Sequence, residues 1–376
     1  MRTLSLQEIE DVLTGCAILG TGGGGSLERG LSDVRELYLS GKRVNLVSLE
    51  EVPDGELVAC PYYCGAISPV SPEEEAKFRD FPVSAEPEPI IAMGALAAYL
   101  GVSFYGVIST ELGGGNTAVA MSCAARCGIP MVDADPAGRS VPELDHTTFF
   151  INGVPIYPMA VASKFGDTVV ITKVASDARA ETLARTVAIM SLNRAGVCSH
   201  PVKGGTLKKS VIPGAISHAE RIGRALREAR AERKDPVEAV RKAGGGFYIF
   251  EGVVTPETSW GDRAGFTEGE IAVSGRGMFS GSEARIWYRN EHMVARVDGQ
   301  VMATIPDLIV VLKANDGSPV INPYATAGME VKVLGFPAPA EWRTPRGLKC
   351  FGPEYLGYTS PYVPIEDRYA GRENAR

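Results

Sequence analysis

The chain has 376 residues, with 38 basic against 45 acidic side chains and a formal net charge of −7. This length predicts two or three domains, and 45% hydrophobic with 22% charged residues is typical of a folded globular protein. The acidic balance argues against a nucleic-acid partner, and the absence of an apolar run long enough to span a bilayer argues against a membrane partner.

The first predicted element is a helix over residues 5–19, whose apolar residues recur at helical spacing. A glycine-rich loop joins it to a second amphipathic helix over 27–39. Adjacent glycines let backbone amides converge on an anion, and a helix N-terminus adds partial positive charge. We therefore expect the loop to contact a ligand, with a plain flexible connection as the alternative. Its residues are Thr21, Gly22, Gly23, Gly24, Gly25 and Ser26.

Strand and helix patterns then alternate along the chain. Strands are predicted at 44–49, 57–63, 103–109 and 130–132, helices at 90–100 and 117–127, and a Pro- and Glu-rich surface excursion over 68–89. This order is typical of an α/β fold, so residues 1–165 are expected to form an N-terminal α/β/α layered domain. Ligands of such domains usually bind at the carboxyl ends of parallel strands.

A second glycine cluster directly follows the strand over 103–109. There we expect Glu111 to project its carboxylate into a cleft, while Gly113 and Gly114 leave room for a planar substrate. Asn116 can donate a hydrogen bond to an oxygen or a ring nitrogen of that substrate. The alternative is that Glu111 interacts only with the N-terminal amides of the next helix.

Two aspartates, Asp133 and Asp135, leave the strand over 130–132, with Arg139 shortly after them. Two carboxylates within reach of each other raise the pKa of one of them, which permits acid/base catalysis in a chain with only 4 histidines. The same residues could bind a metal ion. In the structural alternative, Asp135 caps a turn and Asp133 pairs with Arg139.

Cysteine offers one further candidate. Cys64 ends the strand over 57–63, where a thiolate could attack an electrophilic carbon, although a buried cysteine more often acts as a small hydrophobic residue. The other cysteines and histidines show no convincing metal-ligand spacing. The odd number of 7 cysteines and an N-terminus without a signal-peptide pattern predict a cytoplasmic protein with reduced thiols.

Residues 166–376 are predicted to form a β-rich α+β domain with helices at 178–193 and 218–243. Short β-type runs separated by Gly, Asp and Asn extend from about residue 247 to 334. The Pro- and Tyr-rich tail after residue 336 is expected to cross a domain surface.

Several motifs in this order resemble the S-methyl thiohydantoin desulfurase family, which is associated with hydantoinase/oxoprolinase-type genes. The resemblance covers about residues 5–366. The motifs are LGTGGGGS (19–26), ELGGGNT (111–117), VDADPAGRSVPEL (132–144), IPGAIS (212–217), NEHMVA (290–295), IPDLIVVL (305–312), WRTPRGL (342–348) and GYTSPYVPIE (357–366).

The resemblance implies a hydrolase that cleaves the carbon–sulfur bond of a 2-(methylthio)imidazolone ring, giving a hydantoin and methanethiol. In such a reaction Asp133 or Glu111 would take a proton from water, and Asp135 would donate one. The loop amides, Asn116 or Arg139 would stabilise the negative charge on the ring. Cys64 stands where similar proteins have an apolar residue, and it is an alternative nucleophile.

The resemblance further suggests a homo-oligomer, a hydantoinase-type partner and no organic cofactor, with zinc or magnesium as open alternatives for a metal. Two other functions stay open. One is an ATP-dependent enzyme whose first glycine loop holds a phosphate, although the lysine of the P-loop signature is missing. The other is a non-catalytic ligand-binding subunit of a hydantoinase system.

Overall fold

The computed structural model describes residues 1–65, 72–263 and 266–370. Of the surface excursion predicted over 68–89, residues 68–71 lie outside this range, and the described remainder is largely exposed. In chain order the elements up to residue 203 are β1 (Arg2–Thr3), α1 (Leu6–Leu19), α2 (Leu27–Leu39), β2 (Asn45–Val47), β3 (Leu57–Gly65), α3 (Pro72–Lys77), α4 (Glu88–Leu100), β4 (Gly106–Ile108), α5 (Asn116–Cys127), β5 (Met131–Val132), β6 (Ala134–Asp135), α6 (Thr148–Ile151), β7 (Met159–Ala162), β8 (Thr168–Ile171), α7 (Asp177–Ile189) and β9 (Arg194–Lys203).

The remaining elements form a helical segment and then a strand-rich region. They are α8 (Gly204–Leu207), β10 (Ile212–Pro213), α9 (Ala215–Ala231), α10 (Pro236–Gly244), β11 (Phe247–Val254), β12 (Ser259–Arg263), β13 (Phe266–Gly275), β14 (Glu283–Arg289), β15 (Glu291–Val297), β16 (Gln300–Thr304), β17 (Leu308–Lys313), β18 (Glu330–Phe336), α11 (Pro345–Cys350) and α12 (Ile365–Tyr369). Among the helices of the described ranges, none combines the length and apolar character needed to cross a membrane.

The first sheet has the strand order β1-β2-β5-β4-β3-β9-β7-β8. Its centre, β2-β5-β4-β3, is parallel, and the strands at both sides are antiparallel to their neighbours. Two separate apolar clusters cover its faces, one containing residues of α1 and α5 and the other residues of α7. The predicted α/β/α layering is therefore confirmed.

The chain after residue 165 contributes to both parts of the molecule. β8 and β9 complete the first sheet, so a boundary at residue 165 would separate them from β7. Helix α9 packs on α1, and this contact is close because Gly15 lies against the backbone of Ala219.

The second sheet is antiparallel, with the order β16-β15-β14-β13-β11-β18-β17 and β12 paired to β13. It confirms the predicted β-rich C-terminal domain. The tail after residue 336 returns to the first part of the chain, where the buried Trp342 donates from Nε1 to the carbonyl of Ala137 at 2.8 Å.

The two predicted glycine loops pack directly on each other. The amides of Gly115 and Asn116 both donate to the Gly24 carbonyl, at 2.9 and 3.1 Å. A Cβ at Gly24 would overlap Ser140 Oγ and the Cα of Gly113. Glycine at residue 24 is thus required by the close approach of two backbones, in addition to its positive φ of +79°.

We expect Gly24→Ala to destabilise the protein more than Gly41→Ala. Both residues have positive φ, +79° and +90°, so both substitutions carry the left-handed penalty of about 1–2 kcal/mol. A Cβ at Gly41 meets no atom within 4 Å, whereas at Gly24 overpacking should add about 1–3 kcal/mol. Urea unfolding measures the two free energies. Equal losses in the free energy of unfolding would show that the two loops accommodate the Cβ at residue 24 without an energetic cost.

Candidate functional site

A cleft of about 520 Å³ opens between the first glycine loop and the C-terminal domain. Its wall includes the ends of β3 and β4, the N-terminus of α2, residues 141–144 and side chains of α7. The C-terminal domain contributes Asn290, Glu291, Ile321, Asn322 and Tyr324. The site therefore lies at the carboxyl ends of the parallel strands, as expected for an α/β domain, but it also needs the second domain.

Arg139 lies fully buried beneath the cleft and does not line it. Its guanidinium donates to Thr21 Oγ1 at 2.9 Å and to backbone carbonyls of the C-terminal domain. These carbonyls belong to His292, Pro306 and Asp307, at 3.2, 3.3 and 3.2 Å. Arg139 and Thr21, both predicted to bind substrate, thus hold the glycine loop against the second domain.

Glu291 begins β15 and is 4% exposed, with its carboxyl group directly against the Cα of Gly23. Its Oε2 is buried without a hydrogen-bond partner among the described residues. Burial raises the pKa of Glu291 to about 8, although the nearby Arg139 guanidinium lowers it. Glu291 is therefore a buried carboxyl group that titrates just above neutral pH at the wall of the cleft.

Glu111 follows β4 and faces the same cleft. It adopts a left-handed backbone conformation with a φ of +63°, which is uncommon for a residue with a side chain and costs conformational energy. Burial raises the pKa of Glu111 well above its usual range, and the charges of Glu291 and Asp135 raise it further. The amide of Val141 opposes this by hydrogen bonding to the carboxylate.

Glu111 and Glu291 form a coupled pair of carboxyl groups, because each ionised group disfavours ionisation of the other. Arg139 lowers the pKa of Glu291, whereas Asp135 and Glu181 raise that of Glu111. Glu291 is therefore the first of the two to ionise as the pH rises. Over the range in which the pair holds a single proton, it offers one base and one acid.

The two aspartates predicted as catalytic lie outside the residues that line the cleft. Asp133 accepts hydrogen bonds from the amide and the hydroxyl of Ser217, in the first turn of α9. Asp135 is fully buried and accepts from the amides of Ala137 and Gly138, both at 2.7 Å. These contacts are typical of a helix cap for Asp133 and of a turn for Asp135. Burial raises the pKa of Asp135 to about 7.

Cys64 does line the cleft, at the end of β3 where it was predicted. Burial raises the pKa of its thiol to about 11, and Arg185 only partly opposes this. A thiol with this pKa is almost entirely protonated at neutral pH, so it lacks the activation that a nucleophilic cysteine needs.

The glycine loop reaches the cleft through Gly22, Gly23, Gly24, Gly25 and Ser26. Ser26 caps α2 by accepting from the amide of Arg29, at 3.2 Å. Asn116 begins α5 and also lines the cleft. Gly113 and Gly114 do not line it, since they pack against Gly24 and Leu27. Of the residues predicted to bind substrate, the structure brings together Ser26, Asn116 and four glycines.

Sequence reasoning assigned no role to five charged residues of the wall, namely Glu28, Glu143, Glu181, Arg185 and Glu291. Glu291 lies in the NEHMVA motif, which was noted without a role, and Glu181 and Arg185 lie one helical turn apart on α7. Arg185 pairs with Glu181 through Nε and Oε1 at 2.8 Å. The sequence feature that could have pointed to Glu291 is an acidic residue at the start of a strand, directly before a histidine.

The structure also contains a group of side chains that could hold a metal ion, namely Glu143, Asp145 and His146. Their potential ligand atoms lie within 4.8 Å of one another, and Glu143 lines the cleft.

Comparison with known proteins gives two family matches. The model described as S-Me-THD-like, C-terminal domain matches residues 175–365, and that described as S-Me-THD-like, N-terminal domain matches residues 7–173. The chain is also similar to the crystal structure of a protein from Chromobacterium violaceum, with 24% identity and a TM-score of 0.72. That alignment covers 97% of this chain and 100% of the other, and at this identity it shows the fold alone. No curated protein matches the chain significantly.

We expect the stability gained by Glu291→Gln to grow with pH. The folded pKa of about 8 exceeds the unfolded value, so the folded state binds more protons and wild-type stability falls as pH rises from about 5 to 8. The limiting slope is about 1.4 kcal/mol per pH unit for one group. Urea unfolding of both proteins between pH 5 and 8 measures the difference. Gln300→Asn, an exposed neutral change, is the control, and its free energy of unfolding relative to the wild type should not vary with pH. If that of Glu291→Gln does not vary with pH either, Glu291 is not a buried acid with a raised pKa.

Proposed function

The chain belongs to the S-Me-THD-like family, and we propose that it hydrolyses the carbon–sulfur bond of an S-methyl thiohydantoin. The products would be a hydantoin and methanethiol. The observation that carries this proposal is the coupled carboxyl pair, Glu111 and Glu291, at the wall of the cleft. Such a pair supplies the acid and the base of a hydrolysis without a histidine.

The reaction adds one water molecule across the bond between carbon and sulfur. Glu291, as the carboxylate, accepts a proton from water as its oxygen bonds to the ring carbon that carries the sulfur. Glu111, in its acid form, donates its proton to the ring nitrogen on which negative charge develops. The tetrahedral carbon then returns to a carbonyl as the carbon–sulfur bond breaks.

The remaining proton transfers restore both carboxyl groups. The hydroxyl proton of the tetrahedral intermediate passes to Glu111, and Glu291 gives its proton to the departing sulfur. Glu111 thus gives its proton to the ring nitrogen and regains one from water, and the other proton of water passes through Glu291 to methanethiol. Asn116 and the loop around Gly24 line the cleft, and their amide donors would orient the ring oxygen and nitrogen.

The charge of the cleft favours a neutral ring over a nucleotide. Five acids line it, and Arg185 is the one cation among the described lining residues. With Arg185 as the one cation among these lining residues, a triphosphate would lack counter-charges, whereas a ring with N–H and carbonyl groups can hydrogen bond to carboxyl groups in either protonation state. The acids are Glu28, Glu111, Glu143, Glu181 and Glu291.

We expect Glu291→Gln and Glu111→Gln to lower kcat for methanethiol release by about 10²–10⁴-fold, the usual contribution of a general acid or base. The assay traps the released thiol from a panel of S-methyl thiohydantoins. Asp133→Asn is the matched control, because its carboxyl group contacts Ser217 outside the cleft, and it should keep kcat within about threefold.

Two outcomes would oppose this assignment. Full activity of either glutamine variant would remove that residue from proton transfer, and loss of activity in Asp133→Asn alone would return catalysis to Asp133.

Cys64→Ser distinguishes water from the Cys64 thiol as the nucleophile. Attack by water predicts that the variant keeps its turnover, whereas attack by the thiol predicts that the turnover is lost. A wild-type protein that binds the ring without releasing thiol would favour the non-catalytic subunit.

We expect kcat/KM to rise with pH up to about 8, because Glu291 must ionise to act as the base. Below that pH the rate should fall about tenfold per pH unit, as for one essential ionisation. Burial raises the pKa of this ionisation, and the Arg139 guanidinium lowers it. Stopped assays between pH 5.5 and 9 give the profile, and a flat profile from pH 6 to 8 would exclude Glu291 as the base.

A further inference from the structure

Glu143, Asp145 and His146 form a compact cluster just before α6, at the border of the cleft. The chain turns tightly here, since the His146 amide donates to the Glu143 carbonyl at 3.0 Å. This turn brings two carboxylates and one imidazole to the same side, with their potential ligand atoms within 4.8 Å of one another. The three residues thus offer one nitrogen and two oxygen ligands.

Two atoms of this cluster are buried without a partner among the described residues. His146 is only 3% exposed, yet its Nδ1 has no hydrogen bond, and neither does Oδ1 of Asp145. Buried polar atoms are normally paired, because each unmade hydrogen bond costs about 1–3 kcal/mol. Two such atoms in adjacent residues of a ligand cluster indicate that something outside the chain satisfies them.

The surroundings hold these side chains in place. His146 packs against the rings of both Phe351 and Tyr355, with centroid distances of 4.8 and 4.7 Å. Tyr355 donates from its hydroxyl to Glu143 Oε1 at 2.6 Å. Ligands fixed by packing and by an outer hydrogen bond are typical of metal sites.

We propose that Glu143, Asp145 and His146 bind one divalent transition-metal ion of the zinc class. An imidazole with two carboxylates is a set that zinc accepts, whereas magnesium prefers oxygen ligands alone. The two carboxylates balance the charge of the ion. The positive charges of Arg139 and Arg289 also act on His146. Glu268 offsets that of Arg289 through an ion pair at 2.7 Å.

The geometry requires a small contraction. Ligand distances of about 2.0–2.2 Å place tetrahedral ligands about 3.4 Å apart, so ligand atoms that lie within 4.8 Å must approach by up to about 1.4 Å. Rotation of the Glu143 side chain, which is half-buried at the cleft, can supply this movement. Three protein ligands leave a fourth position for water.

The test is a zinc titration of chelator-treated protein, followed by competition with a colorimetric chelator. The wild type should bind one zinc ion per chain, and a large excess of magnesium should not displace it. His146→Gln and Glu143→Gln should weaken binding by about tenfold or more. His218→Gln is the matched control, because this half-buried histidine on α9 contacts Arg221 and should leave binding unchanged.

Folding is checked by thermal unfolding, since His146→Gln removes a ring from an aromatic cluster. Glu143→Gln keeps an oxygen acceptor for Tyr355 and is expected to fold normally. X-ray absorption of zinc-loaded wild type should show nitrogen and oxygen ligands at about 2.0–2.1 Å, including one imidazole. Absence of stoichiometric zinc, unchanged binding in Glu143→Gln, or a spectrum without imidazole would overturn the proposal. None of these readouts depends on the proposed hydrolysis.

Discussion

The buried guanidinium of Arg139 is the interaction on which the rest of the site depends. It joins the first glycine loop, through Thr21, to three carbonyls of the C-terminal domain. A buried arginine is stable only if its donors are satisfied, so these partners must stay where they are. The contact thereby fixes the position of β15, whose first residue is Glu291, relative to the N-terminal sheet. It also places a positive charge near the Glu291 carboxyl group.

The glycine loops turn this domain contact into a usable cleft. Because Gly24 has no Cβ, the two loops approach at backbone distance, and because Gly23 has none, the Glu291 carboxyl group lies directly on its Cα. The loops were expected to contact a ligand, and part of the first loop does line the cleft. Their primary role is nonetheless to let two loops and a carboxyl group meet in a space that larger side chains would fill.

Local sequence patterns were sufficient for the layers but not for the site. The strand–glycine–helix pattern around Glu111 predicted its place at the edge of the sheet, since strand periodicity and turn residues are local signals. Asp133 and Asp135 were correctly placed after β5, but their contacts depend on α9 and on a turn, which no spacing specifies. Glu291 is 180 residues from Glu111 in the chain, so only the tertiary fold shows that the two carboxyl groups line the same cleft.

The scarcity of histidine has a physical counterpart in the fold. Burial lowers the pKa of all 4 histidines, that of His292 to about 4 and those of His146 and His200 to about 3, so none of these three gains a proton near neutral pH. Burial has the opposite effect on acids, raising the pKa of Asp135 to about 7 and that of Glu291 to about 8. The same low-polarity interior thus removes imidazole from proton exchange and brings carboxyl groups into the range where proton transfer is useful. Of these groups Glu291 lines the cleft beside a second raised acid, so the chemistry of the site follows from where the fold excludes water.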